Sequence, residues 1–214
     1  AARFLAKMFP PIFEPRVELI KGIGESLEIA ILASALGVLL SVPIAVLGAR
    51  NLMPAALTWP VRAFVTLCRT FHPIIVAIVF VKAVGFGALA GVLALTVASI
   101  GFLGKLLTEA IEEISMKQIE AVRATGAPFM SVLVFAVLPQ VVYRLIGFIA
   151  YETDSNLRNS TMVGIVGAGG IGGTLFSAFQ RFDYDFVFGI VLCIIALICV
   201  GEVLQIAVKK VFKQ

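Results

Sequence analysis

The chain has 214 residues, of which 60% are hydrophobic and 14% are charged, and its mean hydropathy is +1.06. Soluble domains carry about a quarter charged residues, so this composition excludes a soluble protein and predicts an integral protein of a lipid bilayer. The net charge of +4 is small and spread along the chain, which argues against nucleic acid as a partner.

The cysteines and the single histidine do not form a pattern typical of site chemistry. Cys68, Cys193 and Cys199 lie in apolar runs without metal-ligand spacing, and His72 is the only histidine. Histidine-based metal sites and a serine triad are therefore not expected. We predict neither a metal site nor catalytic residues in this chain.

Residues 1–23 mix basic and apolar side chains, and their three prolines break any single helix there. This mixture favours a segment at the membrane interface over a span. We therefore divide the chain into an interfacial N-terminal segment, 1–23, and a transmembrane domain, 24–214. The chain begins at Ala1 rather than at Met, and we expect further sequence with another helix before it.

Five apolar runs are long enough to cross a hydrocarbon core, which needs about 20 residues. They cover residues 25–48, 61–84, 88–107, 129–152 and 186–208. The second run contains Pro73, which is expected to bend that span. A polar stretch, 153–161, is expected to follow the fourth span.

A polar, helix-forming segment separates the third and fourth runs. From residue 120 to residue 139 it reads EAVRATGAPFMSVLVFAVLP. Residues 119–125 can form a short helix with Glu120 in its first turn, which Gly126 stops and Pro128 prevents from continuing. A helix this short is marginal alone, so we expect it to lie in the groove of a partner. The alternative is an ordinary loop between two membrane helices.

A glycine-rich segment, about 155–180, has two possible interpretations. Residues 167–172 read GAGGIG, which satisfies the G-x-G-x-x-G pattern of dinucleotide-binding enzymes and follows a strand-like run, 163–166. That pattern has this meaning only within a strand–helix–strand unit, and its flanks here have the length of membrane helices. We favour an irregular, re-entrant segment near a gate. A membrane-embedded oxidoreductase is the alternative from another functional class.

Two arginines lie inside predicted spans and away from the span ends, where a charge is costly unless it faces a cavity or a partner. Arg69 and Arg144 are therefore candidates for attracting an anionic substrate. The alternatives are that Arg69 extends to the cytoplasmic interface and that Arg144 caps carbonyls freed by Pro139. His72 is more often a hydrogen-bonded helix residue than a ligand.

The segment 120–139 resembles the cytoplasmic signature of permease subunits of binding-protein-dependent ABC importers, which reads Glu-Ala-Ala, three residues, Gly, nine residues, Ile-x-Leu-Pro. It departs at Val122, where the pattern has Ala, and at Ala136, where it has Ile. The glycine-rich segment narrows the resemblance to phosphonate-type permeases, and methionine-type permeases, which share both features, are the alternative. Further residues that carry this resemblance are Glu152, Asn156, Arg158, Asp183 and Tyr184.

This resemblance implies an all-α type I ABC importer transmembrane domain with about five spans, a cytoplasmic coupling helix at about 115–127 and a re-entrant gate. Residues implied to couple to an ATPase are Glu120, Ala121, Arg123, Thr125 and Gly126. Residues assigned to the gate or substrate path are Arg69, His72, Arg144, Asn156, Arg158, Ser160, Thr161, Gly167, Gly169 and Gly170. Lys and Arg are split almost evenly between the two sides, so the resemblance places the signature in the cytoplasm.

The chain has no G-x-x-x-x-G-K-[ST] phosphate loop, so hydrolysis by the usual route requires an ATPase partner that binds ATP and Mg²⁺. We expect no cofactor in this chain itself. The resemblance implies two permease copies, an ABC ATPase dimer and an external substrate-binding protein at the bacterial inner membrane. It also implies import of a phosphonate, phosphite or phosphate by alternating access.

Overall fold

The computed structural model describes residues 10–211, which are almost entirely helical. The helices are α1 (Arg16–Gly48), α2 (Ala55–Thr70), α3 (Pro73–Val84), α4 (Ala88–Glu112), α5 (Met116–Ala124), α6 (Phe129–Ile165), α7 (Ile171–Gln180) and α8 (Tyr184–Val211). The predicted all-α fold class is confirmed.

Four of these helices, α1, α4, α6 and α8, are long and apolar enough to cross a membrane. Helices α2 and α3 pass the same test together but are bent by 91° at a short break, so they form a fifth candidate span. The predicted number of about five spans is therefore confirmed.

The second span is broken rather than bent. Helix α2 ends at Thr70, and α3 begins at Pro73 after two residues in extended conformation, Phe71 and His72. Proline has no N–H to donate, and its ring disfavours helical backbone at the preceding residue. The prediction of one bent helix over 61–84 is therefore wrong, because the proline begins a new helix in a different direction.

Helix α6 runs for 37 residues and continues thirteen residues past the predicted end of the fourth span at Glu152. The polar stretch 153–161, expected to follow the span, instead belongs to the same helix, and several of its side chains turn into the protein. The helix also passes Pro139 without ending. A π-helical stretch, Leu133–Val137, lies just before that proline, and such widened turns accommodate the missing N–H.

Helix α1 begins at Arg16, so residues 16–23 of the predicted interfacial segment form its first two turns. With 33 residues it is about 50 Å long, which exceeds a hydrocarbon core of about 30 Å. Its first turns therefore extend beyond the core. Residues 1–9 and 212–214 of the two predicted segments lie outside the described part of the chain.

Helices α1 and α4 run in parallel and pack closely through small residues. A Cβ atom added at Gly37 of α1 would lie 2.4 Å from Cβ of Ser99. Towards one end, Ile29 lies beside Gly91, and towards the other, Gly48 lies beside Thr108. We call the end of α4 that leads to α5 the inner end and the opposite end the outer end. A helix of 25 residues separates them by about 36 Å.

Candidate functional site: an inner helix, a mid-membrane break and an outer glycine turn

Helix α5 at the inner end is anchored by one fully buried side chain. Ile119 is 0% exposed and packs in an apolar cluster that includes Ala136 and Val137 of α6. The residues predicted to couple to an ATPase are all exposed, namely Glu120, Ala121, Arg123, Thr125 and Gly126. The sequence-predicted coupling residues therefore form an open surface next to the anchor.

The bounds of α5 differ from those predicted. The helix begins at Met116, so Glu120 is its fifth residue and does not lie in the first turn. A carboxylate there gains little from the positive end of the helix dipole, which acts within the first turn. Helix α5 ends where predicted, because Gly126 has a φ of 76° and donates its N–H to the carbonyl of Arg123 at 2.9 Å.

Arg144 lies on α6 and pairs with Glu113, the residue that follows the last residue of α4. The pair therefore lies at the inner end of the bundle. The carbonyl of Ala136, one turn before Gln140, accepts a hydrogen bond from Nε2 of that glutamine at 2.7 Å. Arg144 thus contacts a carboxylate, rather than a carbonyl near Pro139.

Arg69 lies near the middle of the membrane-spanning length, at the end of α2. Its Cγ atom would be 2.8 Å from a Cβ atom added at Gly101, which is thirteen residues after the start of α4 at Ala88. This corresponds to a depth of about 20 Å along α4. Arg69 is exposed, and within residues 10–211 no carboxylate forms a salt bridge with it.

His72 is the N-cap of α3, directly after the break. Its Nδ1 atom accepts a hydrogen bond from the backbone N–H of Ile74 at 3.4 Å, and the side chain is otherwise exposed. This is the hydrogen-bonded helix role that the sequence favours. Arg69 and His72 lie on the two sides of the same break, three residues apart.

A buried polar cluster joins α1, α4 and α6. Nδ2 of Asn156 donates to Oγ of Ser34 at 3.0 Å and to Oγ of Ser99 at 2.8 Å. The Ser99 hydroxyl donates to Oε1 of Glu152 at 2.6 Å. The sequence analysis singled out Glu152 and Asn156 but did not predict that they bond to serines of two other helices. The spacing of four residues places the two α6 side chains on one helix face, which is the signal that could have found the cluster.

The remaining path residues predicted on α6 are engaged within the protein. Ser160 and Thr161 are buried, and their hydroxyls donate to backbone carbonyls within the same helix. Arg158 pairs with Asp154 one turn earlier, at 2.6 Å. Arg144 and Arg158 are fourteen residues apart on α6, or about 21 Å. The structure therefore does not bring the three predicted arginines into one site.

The outer glycine turn covers residues 166–170, between α6 and α7. It is held to α1 by two bonds: the N–H of Gly170 donates to Oε2 of Glu25 at 3.0 Å, and that of Ile171 donates to Oγ of Ser26 at 2.9 Å. The N–H of Gly87 donates to the carbonyl of Gly167 at 3.0 Å, which holds the turn to the start of α4. The turn thus connects α6 to α7 and is bonded to α1 and to the start of α4.

The glycines of this turn are required by conformation and by space. Gly167, Gly169 and Gly170 have φ values of 89°, 81° and 80°, which L side chains rarely adopt. The preceding run, 163–166, ends a helix, and no strand occurs within residues 10–211. Within these residues the G-x-G-x-x-G pattern therefore does not lie in the strand–helix–strand unit of a dinucleotide site, and the structure does not support its interpretation as a dinucleotide fingerprint.

Residues 37–213 match the family model described as "Binding-protein-dependent transport system inner membrane component". The chain is 42% identical over 194 residues to the phosphate-import permease protein PhnE of Mycolicibacterium smegmatis, which covers 90% of this chain and 36% of that protein. It is 38% identical to the phosphite transport system permease protein PtxC of Stutzerimonas stutzeri, over 99% of this chain and 78% of that one. The chain thus spans about a third of the first relative.

Solved structures support the same fold. An inward-facing structure of the MetNI methionine ABC transporter matches with a TM-score of 0.81 at 24% identity, over 95% of this chain and 100% of that one. A second crystal form of MetNI matches with a TM-score of 0.74 at 26% identity, over 92% and 99%. A probable D-methionine permease, MetI of Vibrio cholerae, is 26% identical over 113 residues, 52% of this chain and 50% of that protein.

Proposed function

The chain belongs to the family of binding-protein-dependent transport system inner membrane components, and from this membership we propose that it is the permease subunit of an ABC importer for a phosphonate-like oxyanion. The observation that carries the proposal is the match of 37–213 to the family model, combined with the relatives named above. Localisation in the bacterial inner membrane follows from the family and from the membrane-length helices.

The relatives favour a phosphorus oxyanion over methionine. Those named for phosphate or phosphite import are 42% and 38% identical over nearly the whole of this chain. The named methionine permease is 26% identical over about half of it. The proposed substrate class is therefore phosphonate, phosphite or phosphate, and the methionine-type alternative ranks second.

The proposed assembly contains a second copy of this chain, an ABC ATPase dimer and an external substrate-binding protein. The chain has no phosphate-loop motif, so ATP and Mg²⁺ would be bound by the ATPase. The exposed face of α5, with Glu120 and Arg123 beside the buried anchor Ile119, fits contact with that ATPase. Alternating access would then link ATPase closure to rearrangement of the membrane helices.

We assign Arg69 to the substrate path. It is too deep to reach the membrane surface with its side chain, since about 17 Å of α4 separate Gly101 from Glu112. A charged group at this depth faces a cavity, water or a partner rather than lipid. Its exposed position in the single chain therefore favours an aqueous path beside the second copy. At a separation of about 4 Å, an oxyanion is attracted by roughly 4 kcal/mol at an effective dielectric of about 20, and by roughly 1 kcal/mol in water.

The proposed function is tested with the purified permease–ATPase complex in liposomes. External binding protein and phosphite, phosphate or methylphosphonate are added outside, and ATP hydrolysis and uptake are measured. At least one of the three oxyanions should stimulate hydrolysis and accumulate, whereas methionine should do neither. Stimulation by methionine and by none of the oxyanions would establish the methionine-type alternative.

Arg69→Gln is expected to lower oxyanion import per assembled complex about tenfold, which corresponds to about 1.4 kcal/mol of lost attraction. Arg69→Lys should be milder because the charge survives while the planar donor fork is lost. The matched control is Lys82→Gln, which removes an exposed charge from the same broken span near its outer end. Import by Arg69→Gln equal to that of the parent complex would remove Arg69 from the path.

A further inference from the structure

The last residue of α4, Glu112, and the residue that follows it, Glu113, are consecutive glutamates whose side chains bind different neighbours. Glu112 pairs with Arg62 of α2 at 2.5 Å, and Glu113 pairs with Arg144 of α6. Successive residues of a helix point about 100° apart, which explains why adjacent carboxylates reach different helices. The coupling helix α5 begins only three residues later, at Met116. The segment that leads into α5 is therefore tied to two separate membrane helices.

Glu112 belongs to a hydrogen-bonded cluster at the inner end of the bundle. Oε1 of Glu112 also accepts the N–H of Arg50 at 2.8 Å, and Nε of Arg62 donates to the carbonyl of Gly48, the last residue of α1, at 2.8 Å. Nδ2 of Asn51 donates to the carbonyl of Ile111 at 2.7 Å. These hydrogen bonds hold the ends of α1 and α4 against α2. Eight residues beyond Arg62, or about 12 Å, α2 reaches the mid-membrane break.

The segment from Glu113 to Ser115 binds α6 at two points. Besides the pair with Arg144, the N–H of Ser115 donates to Oε1 of Gln140 on α6 at 2.9 Å. Helix α6 continues from there to Ile165, where the outer glycine turn follows. Glu112 thus connects the end of α4, which leads into α5, to the helix that ends at the mid-membrane break. Glu113, the next residue, connects to the helix that ends at the outer glycine turn.

We propose that Glu112 and Glu113 are positioning residues that transmit movement of α5 to α2 and to α6, an inference that rests on the proposed function. Helix α5 has nine residues, and Ile119 is its one buried residue within the described chain. Val122 of α5 also packs against the apolar cluster that holds Ile119, and the two ion pairs hold the segment that leads into α5 to α2 and to α6. Exposed ion pairs contribute little to folding stability, so losing one should disturb coupling rather than assembly. Arg144, on this view, serves as the partner of Glu113 and not as a contact of the anion.

A charge swap at Glu113 and Arg144 tests the inference in the complete complex with its ATPase and external binding protein. Glu113→Arg and Arg144→Glu alone should each lower oxyanion import per ATP hydrolysed about fivefold, the lower end of typical coupling effects. The double variant should recover to within about twofold of the parent, because the pair is rebuilt with opposite polarity. A double variant as impaired as Arg144→Glu alone would overturn the link and would instead support a path role for the Arg144 charge.

Neutral variants keep the test decisive if either reversed charge prevents assembly. Glu113→Gln and Arg144→Gln remove the pair without placing like charges together, and both should lower import per ATP to a similar extent. The double neutral variant should be no worse than either single variant, since the same link is lost once. Additive losses would show that the two residues act separately and would contradict the proposal.

The matched control is Glu109→Gln on the same helix. Glu109 is half-exposed and pairs at 3.5 Å with Lys105 of α4 itself, so this pair connects α4 to no other helix. Import per ATP should be unchanged in this variant, whereas Glu112→Gln should lower it. An equal loss in Glu109→Gln and Glu113→Gln would contradict a specific link. If the parent complex gives neither stimulated hydrolysis nor uptake, the proposed function fails first, and the link is then rejected with it.

Discussion

Substituting Val for Gly169 is expected to abolish oxyanion import while the ATPase remains bound to the complex. Gly169 has a φ of 81°, and a Cβ atom there would lie 2.8 Å from the backbone N and 2.9 Å from Cα of Ala88. A left-handed conformation costs an L residue roughly 1–2 kcal/mol, and overpacking costs a further 1–3 kcal/mol. Because each 1.4 kcal/mol is about a factor of ten, we expect import to fall about a hundredfold.

We expect import to be lost and ATPase binding to be retained because the two ends of the bundle are far apart. The outer glycine turn contacts the start of α4, and the other end of α4, which leads to α5, lies about 36 Å away. A substitution in the turn should therefore disturb the outer end, where we propose the gate, and leave the exposed surface of α5 intact. Co-purification of the ATPase with the variant measures the second part of this expectation.

Gly173→Ala is the matched control for Gly169→Val. Gly173 lies in the first turn of α7, and a Cβ atom there would meet one atom within 4 Å, the carbonyl oxygen of Gly164 at 3.6 Å. That is ordinary van der Waals contact, and alanine favours a helix by about 1 kcal/mol over glycine. Import by this variant should match that of the parent. Normal import by Gly169→Val would show that the turn tolerates rearrangement and has no gating role.

The second large effect is expected at the end of α5, the proposed coupling helix, where Gly126→Val should uncouple import from ATP hydrolysis. A Cβ atom at Gly126 meets nothing within 4 Å, so space does not explain the glycine. The φ of 76° at Gly126 explains the glycine instead, because a β-branched residue resists the left-handed conformation that ends α5. The valine variant should redirect the chain after Ala124 and lower import per ATP at least about tenfold.

Gly126→Asn distinguishes an effect of backbone conformation from an effect of the added side chain, since asparagine tolerates the left-handed region far better than valine. It should retain most of the coupling. Glu120→Ala complements both variants, because Glu120 is exposed in the second turn and its proposed role depends on the partner alone. Membrane insertion should be normal in all three. If Gly126→Val and Glu120→Ala complexes import per ATP at the parental rate, α5 is not the coupling helix.

Local sequence signals were sufficient for much of this fold. The apolar runs predicted the number of spans, since about 20 apolar residues in series have few alternatives to crossing a bilayer. Gly126 and Pro128 predicted the end of α5, because glycine can adopt the left-handed conformation that ends a helix and proline cannot donate the backbone hydrogen bond that would continue one. The glycines at 167, 169 and 170 likewise indicated an irregular turn, although not the bonds to Glu25 and Ser26 that hold it.

Other features depended on contacts between distant parts of the chain. The sequence predicted a bend at Pro73, but the packing of α2 and α3 against α4 accompanies a break of 91°. The polar stretch 153–161 can form a buried helix because Asn156 donates hydrogen bonds to Ser34 and Ser99, which lie 122 and 57 residues away in the chain. A buried amide needs such partners, and no local pattern reveals them.

The charged residues show most clearly the difference between what local sequence predicts and what tertiary contacts decide. Composition identified an integral membrane protein, the resemblance to importer permeases implied a coupling segment, and the position of Arg69 and Arg144 within apolar runs marked them as charges that need an explanation. Only the tertiary structure separated them: Arg144 pairs with Glu113, 31 residues away in the chain, while Arg69 lies exposed at mid-depth. Helix length and helix ends follow from local backbone preferences, whereas the partner of a charge follows from which helices pack together.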